Sequence, residues 1–106
     1  MIYTLHHIIE EASKSVPHAI AFSCLNKTLS YSELELKANQ LSHHLISVGI
    51  QKGNRVGIFM NRCIETAIAV YGILKSGAAY VPLDPFAPIS RTVTIVDDCQ
   101  IACLIS

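Results

Sequence analysis

Helical and extended patterns alternate along the second half of the chain, and this alternation constrains the fold more than any other feature. Extended patterns at 55–60, 78–82 and 101–105 are separated by one helical pattern that ends near Lys75 and by another over 88–98. Strands that alternate with helices form a parallel sheet with helices packed on it, joined by right-handed crossovers. The sequence therefore predicts an α/β fold, with layered helices on a mostly parallel sheet, in which these three strands are neighbours.

The first half predicts a helix followed by a hairpin. The apolar stripe over 4–15 has helical spacing, and Pro17 ends that pattern because the residue before proline leaves the helical region. Two short extended patterns, 19–25 and 28–29, follow on either side of Asn26-Lys27. We expect an N-terminal hairpin with its turn at Asn26-Lys27.

A second helix begins at a capping box. Ser30 and Glu33 are spaced so that each side chain can accept a hydrogen bond from a free backbone N–H at the helix start. Apolar residues then recur at steps of four and three until Gly49, a residue type that commonly follows a helix end. The positions predicted to be buried are Leu34, Ala38, Leu41, Leu45 and Val48.

The third helix leads into a stiff corner. It is apolar on nearly every side, which predicts burial between layers, and Gly72 within it predicts a close helix contact. Gly77 lets this helix end tightly, while Pro82 and Pro85 stiffen the exit from the next strand. We expect Asp84 to cap the loop or the following helix; contact with a substrate or nucleotide is the alternative.

The last helix should bury an apolar stripe and expose a polar side. The predicted apolar positions are Ile89, Val93 and Val96, while Arg91 and Thr92 are placed on the polar side.

Charge and targeting signals exclude several classes of protein. Eight basic and eight acidic residues give a formal net charge of zero, and no cluster of lysine and arginine favours nucleic acid or an anionic membrane as a partner. The first ten residues, MIYTLHHIIE, lack the pattern of a signal peptide, and no apolar run approaches membrane-spanning length. We expect a cytoplasmic chain whose cysteines are reduced and act as small hydrophobes. The four cysteines are Cys24, Cys63, Cys99 and Cys103.

The residues alone provide no active site. The five glycines are never closer than four positions apart, so they cannot form the backbone cradle that binds phosphate. Cys63 stands near a helix start, where a thiol pKa can fall, but it has no evident base nearby. Adjacent pairs point in different directions and are interpreted as solvated surface; they are His6-His7, His43-His44 and Asp97-Asp98. We predict no catalytic, cofactor-binding or metal-binding residue in this chain.

Two segments nevertheless resemble a known family. L-S-Y-S-E-L at 29–34 and L-K-S-G-A-A-Y-V-P-L-D-P at 74–85 are similar to the first two signatures of the AMP-forming adenylating enzymes. Those signatures are L-[TS]-Y-x-E-L and L-K-A-G-x-A-Y-[VL]-P-[LI]-D, and Ser76 is the one departure. The stretches 45–58 and 88–105 are similar to the family as well, so the resemblance covers essentially the whole chain. The run AYVPLDP is typical of the adenylation domains of nonribosomal peptide synthetases and their free-standing relatives.

The resemblance implies a ligase that activates an amino acid or another carboxylic acid. Such enzymes use ATP and magnesium to form an acyl-adenylate, release pyrophosphate and pass the acyl group to a carrier-protein or CoA thiol. Their phosphate loop, substrate pocket and catalytic lysine follow later in the family's chain and have no counterpart here. We therefore expect residues 1–106 to form a single partial domain, the N-terminal segment of an AMP-dependent synthetase/ligase domain, which is inactive by itself.

Two alternatives remain open at this stage. The chain could be one part of a split ligase whose complementary chain supplies the phosphate loop and the lysine. It could also be a non-catalytic binding or regulatory module that has the same fold. For a piece of a longer ligase, and for one part of a split ligase, the partner is the remainder of the adenylating enzyme. A carrier protein is a further possible partner.

Overall fold

Helices and strands alternate through the chain as the sequence predicts. The computed structural model describes residues 5–60 and 63–106, and within them the elements follow the order α1, β1, β2, α2, β3, α3, β4, α4, β5. Their bounds are α1 Leu5–Ser15, β1 Ile20–Cys24, β2 Lys27–Ser30, α2 Tyr31–Ser47, β3 Arg55–Phe59, α3 Cys63–Lys75, β4 Ala79–Leu83, α4 Ile89–Asp98 and β5 Ile101–Ile105.

The predicted parallel sheet is confirmed. Its strand order is β4–β3–β5, and both pairings are parallel. Val56 of β3 lies opposite Tyr80 of β4 on one side and opposite Cys103 of β5 on the other. The central strand is therefore the earliest of the three in the sequence, and each later strand is added to a different side of it.

This strand order places helices on both faces of the sheet. The first crossover runs from β3 to β4, and the second runs from β4 back past β3 to β5. Right-handed crossovers in opposite directions put α3 and α4 on opposite faces. On the α3 face, the buried side chains of Val56 and Ile58 pack into one core cluster with Ala69 and Ile73 of α3. This cluster is sealed from the other side by α2, which contributes the buried Leu45.

The hairpin is confirmed, but the predicted turn is wrong by one residue. Strands β1 and β2 are antiparallel, and Cys24 lies opposite Lys27, so the turn consists of Leu25 and Asn26. Leu25 has a positive φ of 56° and is 96% exposed. A two-residue turn with positive φ matches the twist of the flanking strands. Lys27 is thus a strand residue because it pairs across the hairpin.

Helix α2 follows the prediction except at its C-terminal end. Leu34, Ala38 and Leu45 are buried, and so is Ser42, which the apolar spacing did not predict. Val48 was predicted to be buried and is 58% exposed. It is the C-cap residue, with φ −90° and ψ 8°, and therefore lies beyond the last regular turn of the helix.

Helix α3 packs closely against α2 through Gly72. A Cβ atom at Gly72 would lie 2.7 Å from Leu41 Cδ2 and 3.0 Å from Leu41 Cβ and Cγ. Neighbouring positions of α3 are also buried, among them Tyr71 and Ile73. Both the buried character of this helix and the close approach at Gly72 are as predicted.

The burial expected for α4 is wrong in part. Ile89 and Val93 are 82% and 60% exposed, and no residue of α4 is buried. The half-buried side of this helix instead includes Thr92, Ile95 and Val96. The side of α4 that packs on the protein therefore differs from the predicted apolar stripe. It includes Thr92, which was predicted to lie on the polar side.

The prediction of uniformly reduced cysteines is also wrong. Cys24 is disulfide-bonded, whereas Cys99 and Cys103 carry free thiols and are half-buried. A disulfide requires two side chains to be close in space, and sequence spacing alone does not reveal such proximity. The side chain of Cys63 lies outside the described residues.

The described helices include none that is both long and apolar enough to cross a membrane.

Candidate functional site

The two signature segments meet where α2 begins and α3 ends. Leu29 and Leu34 of the first segment are buried in a second core cluster, together with Ala38 of α2 and Tyr71 of α3. Tyr71 is one helical turn before Lys75, which belongs to the second segment. The helix that leads into the second segment therefore packs against the apolar residues of the first segment.

The first segment starts α2 through the predicted capping box. The backbone N–H of Glu33 donates to Ser30 Oγ at 3.2 Å, and the backbone N–H of Ser30 donates to Glu33 Oε1 at 3.1 Å. The backbone hydrogen bond from Ser30 is the largest cause that lowers the pKa of the Glu33 carboxyl. Ser30 and Glu33, two polar residues of this signature, therefore stabilise the start of α2.

The second segment ends α3 and starts β4 through Gly77. Gly77 has a φ of 87°, and its carbonyl accepts a hydrogen bond of 3.1 Å from the N–H of Gly53. The N–H of Ala79 donates to the carbonyl of Asn54 at 2.8 Å. These contacts join the turn before β3 to the turn before β4, which aligns the two parallel strands.

The one departure from the family signature is accommodated locally. Ser76 Oγ donates to the carbonyl of Ile73 at 2.6 Å, within the last turn of α3. The hydroxyl at this position therefore has its hydrogen-bond acceptor within the same helix and requires no other partner.

Asp84 caps the loop that follows β4. Its Oδ1 accepts a hydrogen bond of 2.9 Å from the N–H of Phe86, and its carbonyl accepts one of 3.1 Å from the N–H of Ala87. The N-cap residue of α4 is Pro88, which makes no side-chain capping hydrogen bond. Of the two capping roles predicted for Asp84, the loop cap is confirmed.

A partly buried polar cluster, formed by Glu10, Glu35, Tyr71 and Lys75, connects α1, α2 and α3. Lys75 Nζ lies 2.5 Å from Glu35 Oε1 and 3.3 Å from Glu10 Oε1. Tyr71 donates its hydroxyl proton to Glu35 Oε2 at 2.5 Å. The lysine side chain retains only 10% of its exposure, so its charge is balanced by the two carboxylates and not by solvent.

Burial and hydrogen bonding act in opposite directions on Glu35. Burial by itself would raise the pKa of the carboxyl, but the hydrogen bonds from Lys75 and Tyr71 and the charge of Lys75 outweigh it. The pKa of Glu35 therefore lies below its ordinary value. Burial, followed by the hydrogen bond to Glu35 and its negative charge, raises the pKa of Tyr71. The cluster consequently holds a charged carboxylate and a neutral phenol near neutral pH.

This cluster was not predicted from the sequence. A usable signal was present, since Tyr71 and Lys75 are four residues apart on a helix whose other residues from Ala67 onward are apolar or glycine. Residues with this spacing share one helix face, and a lysine on a buried face requires an acidic partner from a neighbouring element.

A small apolar pocket adjoins the cluster. Its volume is about 280 Å³, and its walls include Ile9 of α1, Phe22 of β1, Leu34 of α2 and Val70 of α3. The walls also include Tyr31 and Tyr71, but among the described residues no histidine, cysteine or acidic side chain lines this pocket.

The other candidate groups do not assemble into a site. His43, His44, Asp97 and Asp98 are exposed, as expected for solvated surface. His7 is exposed too, while the side chain of His6 lies outside the described residues. Among the residues that the structure describes, no group of three histidine, cysteine or acidic side chains could hold a metal ion.

The chain is similar to known proteins over nearly its whole length. The family model of AMP-binding enzymes matches residues 9–106. The chain belongs to this family of AMP-binding enzymes. Within the family it corresponds to part of an adenylation domain of the nonribosomal peptide synthetase type, as its relatives and structural neighbours indicate.

The sequence relatives are much longer than this chain. It is 42% identical over 102 residues to malpinin synthetase of Mortierella alpina. The matched region is 96% of this chain and 1% of that protein. It is 41% identical over 103 residues to gramicidin S synthase 1 of Brevibacillus brevis. The matched region is 97% of this chain and 9% of that protein. The chain therefore spans less than a tenth of either relative.

Solved structures show the same fold. The nonribosomal peptide synthetase FmoA3, in its form bound to alpha-methyl-L-serine-AMP, superposes with a TM-score of 0.91 at 28% identity, over 96% of this chain and 12% of that one. The N-terminal subdomain of NpsA from Klebsiella oxytoca superposes with a TM-score of 0.89 at 25% identity, over 99% of this chain and 28% of that one. The predicted fold class is thereby confirmed.

Proposed function

We propose that this chain acts as the scaffold of a carboxylate-activating adenylation domain and performs no catalysis by itself. The complete domain would activate an amino acid or another carboxylic acid as an acyl-adenylate and pass it to the thiol of a carrier protein or CoA. The family match over residues 9–106 is the observation that carries this proposal. Residues 1–106 would then form a single partial domain, located in the cytoplasm.

The ligands of the reaction are assigned to the complete domain and not to these residues. The described residues include no cluster of metal ligands, and the glycines are too widely spaced to form a phosphate cradle. The residues of both signatures are occupied structurally, as the Ser30–Glu33 capping box and the Asp84 loop cap illustrate. ATP and magnesium would therefore bind to parts of the enzyme other than the described residues.

Amino-acid-dependent exchange of pyrophosphate into ATP tests the proposal. The purified chain should show no exchange above background with any of a panel of amino and fatty acids. A chimera of gramicidin S synthase 1, in which residues 9–106 of this chain replace the matching segment, should support exchange. Exchange by the isolated chain would contradict the purely structural role, and an inactive but folded chimera would contradict membership of the working scaffold.

A further inference from the structure

The apolar pocket lies where α1, β1, α2 and α3 meet. Its lining includes Leu34 of α2 and Tyr71 of α3, which are 5% and 2% exposed and belong to the second core cluster. Ile9 of α1 lines the pocket as well and packs against the same cluster, but it is only half-buried. The pocket is therefore a gap at the contact between α1 and the core.

Helix α1 is packed less completely than the elements around it. Among its described side chains, those of His7 to Ser15, none is buried. A helix of 11 residues is marginal in water by itself, so α1 depends on its contacts with the rest of the chain. A gap deprives the atoms that line it of van der Waals partners. A molecule that fills the pocket would supply packing that α1 lacks.

Two attachments hold α1 beside the pocket. Glu10 Oε1 lies 3.3 Å from Lys75 Nζ. After the helix, the carbonyl groups of Pro17 and Ala19 accept hydrogen bonds of 2.9 and 3.0 Å from backbone N–H groups at the start of α2. Neither attachment uses a side chain that lines the pocket, so a molecule can enter without breaking them.

The lining favours a neutral molecule. The described lining residues carry no charge, and the adjoining Lys75 is already paired with Glu10 and Glu35. A charged group in the pocket would lose its hydration without gaining a partner.

The lining also favours an aromatic molecule. Phe22, Tyr31 and Tyr71 contribute three rings, and aromatic side chains pack well against another ring in offset or edge-to-face contact. The volume of about 280 Å³ is at the lower end of the range for small-molecule sites, which is roughly 300–1,000 Å³.

We propose that this pocket binds a small, neutral aromatic molecule, which fills the gap between α1 and the core and thereby holds α1 in place. Such a site is independent of the proposed function, because it needs neither ATP nor the remainder of an adenylation domain.

A matched pair of fluorescent probes tests the chemistry of the site. N-phenyl-1-naphthylamine is neutral and becomes brighter in apolar surroundings, and its 8-sulfonate carries a negative charge on the same rings. Titration of the purified chain should give a Kd of about 100 μM or lower for the neutral probe. The Kd of the sulfonate should be at least about tenfold higher, because its charge has to be desolvated. No saturable binding of the neutral probe, or equal or tighter binding of the sulfonate, would overturn the proposal.

Two matched substitutions test the location. Ala67 of α3 and Ala87 before α4 are both half-buried, and of these two Ala67 lines the pocket. Ala67→Met should fill the gap and raise the Kd of the neutral probe at least about tenfold, because methionine adapts to irregular spaces. Ala87→Met should leave the Kd unchanged. Equal Kd values in the two variants, with circular dichroism showing that both are folded, would reject this pocket as the binding site.

Hydrogen exchange of the wild-type chain locates the probe without any substitution. With the neutral probe at ten times its Kd, the amides of 9–15 should exchange about tenfold more slowly, because release of α1 then requires loss of the probe. Amides of α2 that exchange only by complete unfolding should slow by a similar factor. Slower exchange in α2 without a change at 9–15 would show that the probe binds apart from α1, and would contradict the proposal.

Probe binding and pyrophosphate exchange report on different proposals. A chain that binds no neutral probe, but whose chimera supports pyrophosphate exchange, would reject the pocket and retain the scaffold. Probe binding together with a folded but inactive chimera would do the reverse.

Discussion

Glu35 Oε1 and Lys75 Nζ lie 2.5 Å apart, although the two residues are 40 positions apart in the sequence. Glu35 directly follows the first signature segment, and Lys75 is the second residue of the second segment. This ion pair therefore fixes the position of the segment that starts α2 relative to the segment that ends α3. Its side chains are 23% and 10% exposed, so the surrounding protein, and not water, determines the strength of the interaction.

Removal of the cation should destabilise the fold. Lys75→Met leaves the Glu35 carboxylate largely buried without its charged partner, and we expect the free energy of unfolding to fall by about 2 kcal/mol. Urea denaturation measures the loss. Lys37→Met on the exposed side of α2 is the control and should change the value little. A loss for Lys75→Met no larger than that of the control would show that the cluster adds nothing to stability.

Stability should decline in acid in a manner that depends on Glu35. The pKa of Glu35 is lower in the folded chain than its ordinary value of 4.5, so the folded state favours the charged carboxylate. The resulting stabilisation is present above the unfolded pKa and is lost as the pH falls through the folded pKa. Urea midpoints of the wild type should therefore fall more steeply below about pH 4.5 than those of Glu35→Gln. The pKa of Glu33 is lowered as well, but its contribution to the pH dependence is the same in both proteins and cancels in the comparison. Parallel pH profiles would refute the assignment.

A methyl group at Gly72 should be harmful even though alanine is the better helix former. The new Cβ would meet Leu41 Cδ2 at 2.7 Å, and we expect a loss of about 1–3 kcal/mol that exceeds the gain of roughly 1 kcal/mol in helix propensity. Combining Gly72→Ala with Leu41→Ala should cost less than the sum of the two single changes, because the shortened side chain makes room. Additive losses, measured by urea denaturation, would argue against a steric cause.

The turn at Gly77 should discriminate against any residue with a Cβ. Its φ of 87° is unfavourable for L-residues, while the nearest atom to an added Cβ is Lys52 Cα at 3.5 Å, so the cost comes from the backbone and not from a collision. Gly77→Ala should lower the free energy of unfolding by about 1–2 kcal/mol. The adjacent Ser76→Ala, which restores the residue common in the family, should stay within about 0.5 kcal/mol of the wild type. Similar effects of the two changes would contradict this account.

Local features of the fold could be predicted from the sequence because local rules determine them. The Ser30–Glu33 capping box and the end of α3 at Gly77 each depend on a few neighbouring residues. Gly72 predicted a close helix contact, but its partner, Leu41 of α2, is distant in the sequence. The parallel arrangement of β3, β4 and β5 followed from the alternation of elements, since few topologies satisfy it.

Features that depend on packing partners could not be predicted in the same way. An apolar stripe predicts that a helix has something to bury against, but it does not show whether these residues supply the cover. Ile89 and Val93 illustrate this limit, since both are apolar at helical spacing and both are exposed. The Glu10–Glu35–Tyr71–Lys75 cluster was missed for a related reason: three helices distant in sequence contribute its members.

The central position of β3 has a consequence for the order in which the sheet can be completed during synthesis. Translation delivers β3 first, and its two flanks are filled later by β4 and, last, by β5. Until residue 101 has left the ribosome, one side of the middle strand has open amides and carbonyls. During that interval the growing polypeptide is most exposed to misassociation and to chaperone capture. Synonymous codons that slow elongation between β4 and β5 should therefore reduce the yield of folded protein more than equally slow codons placed within α2.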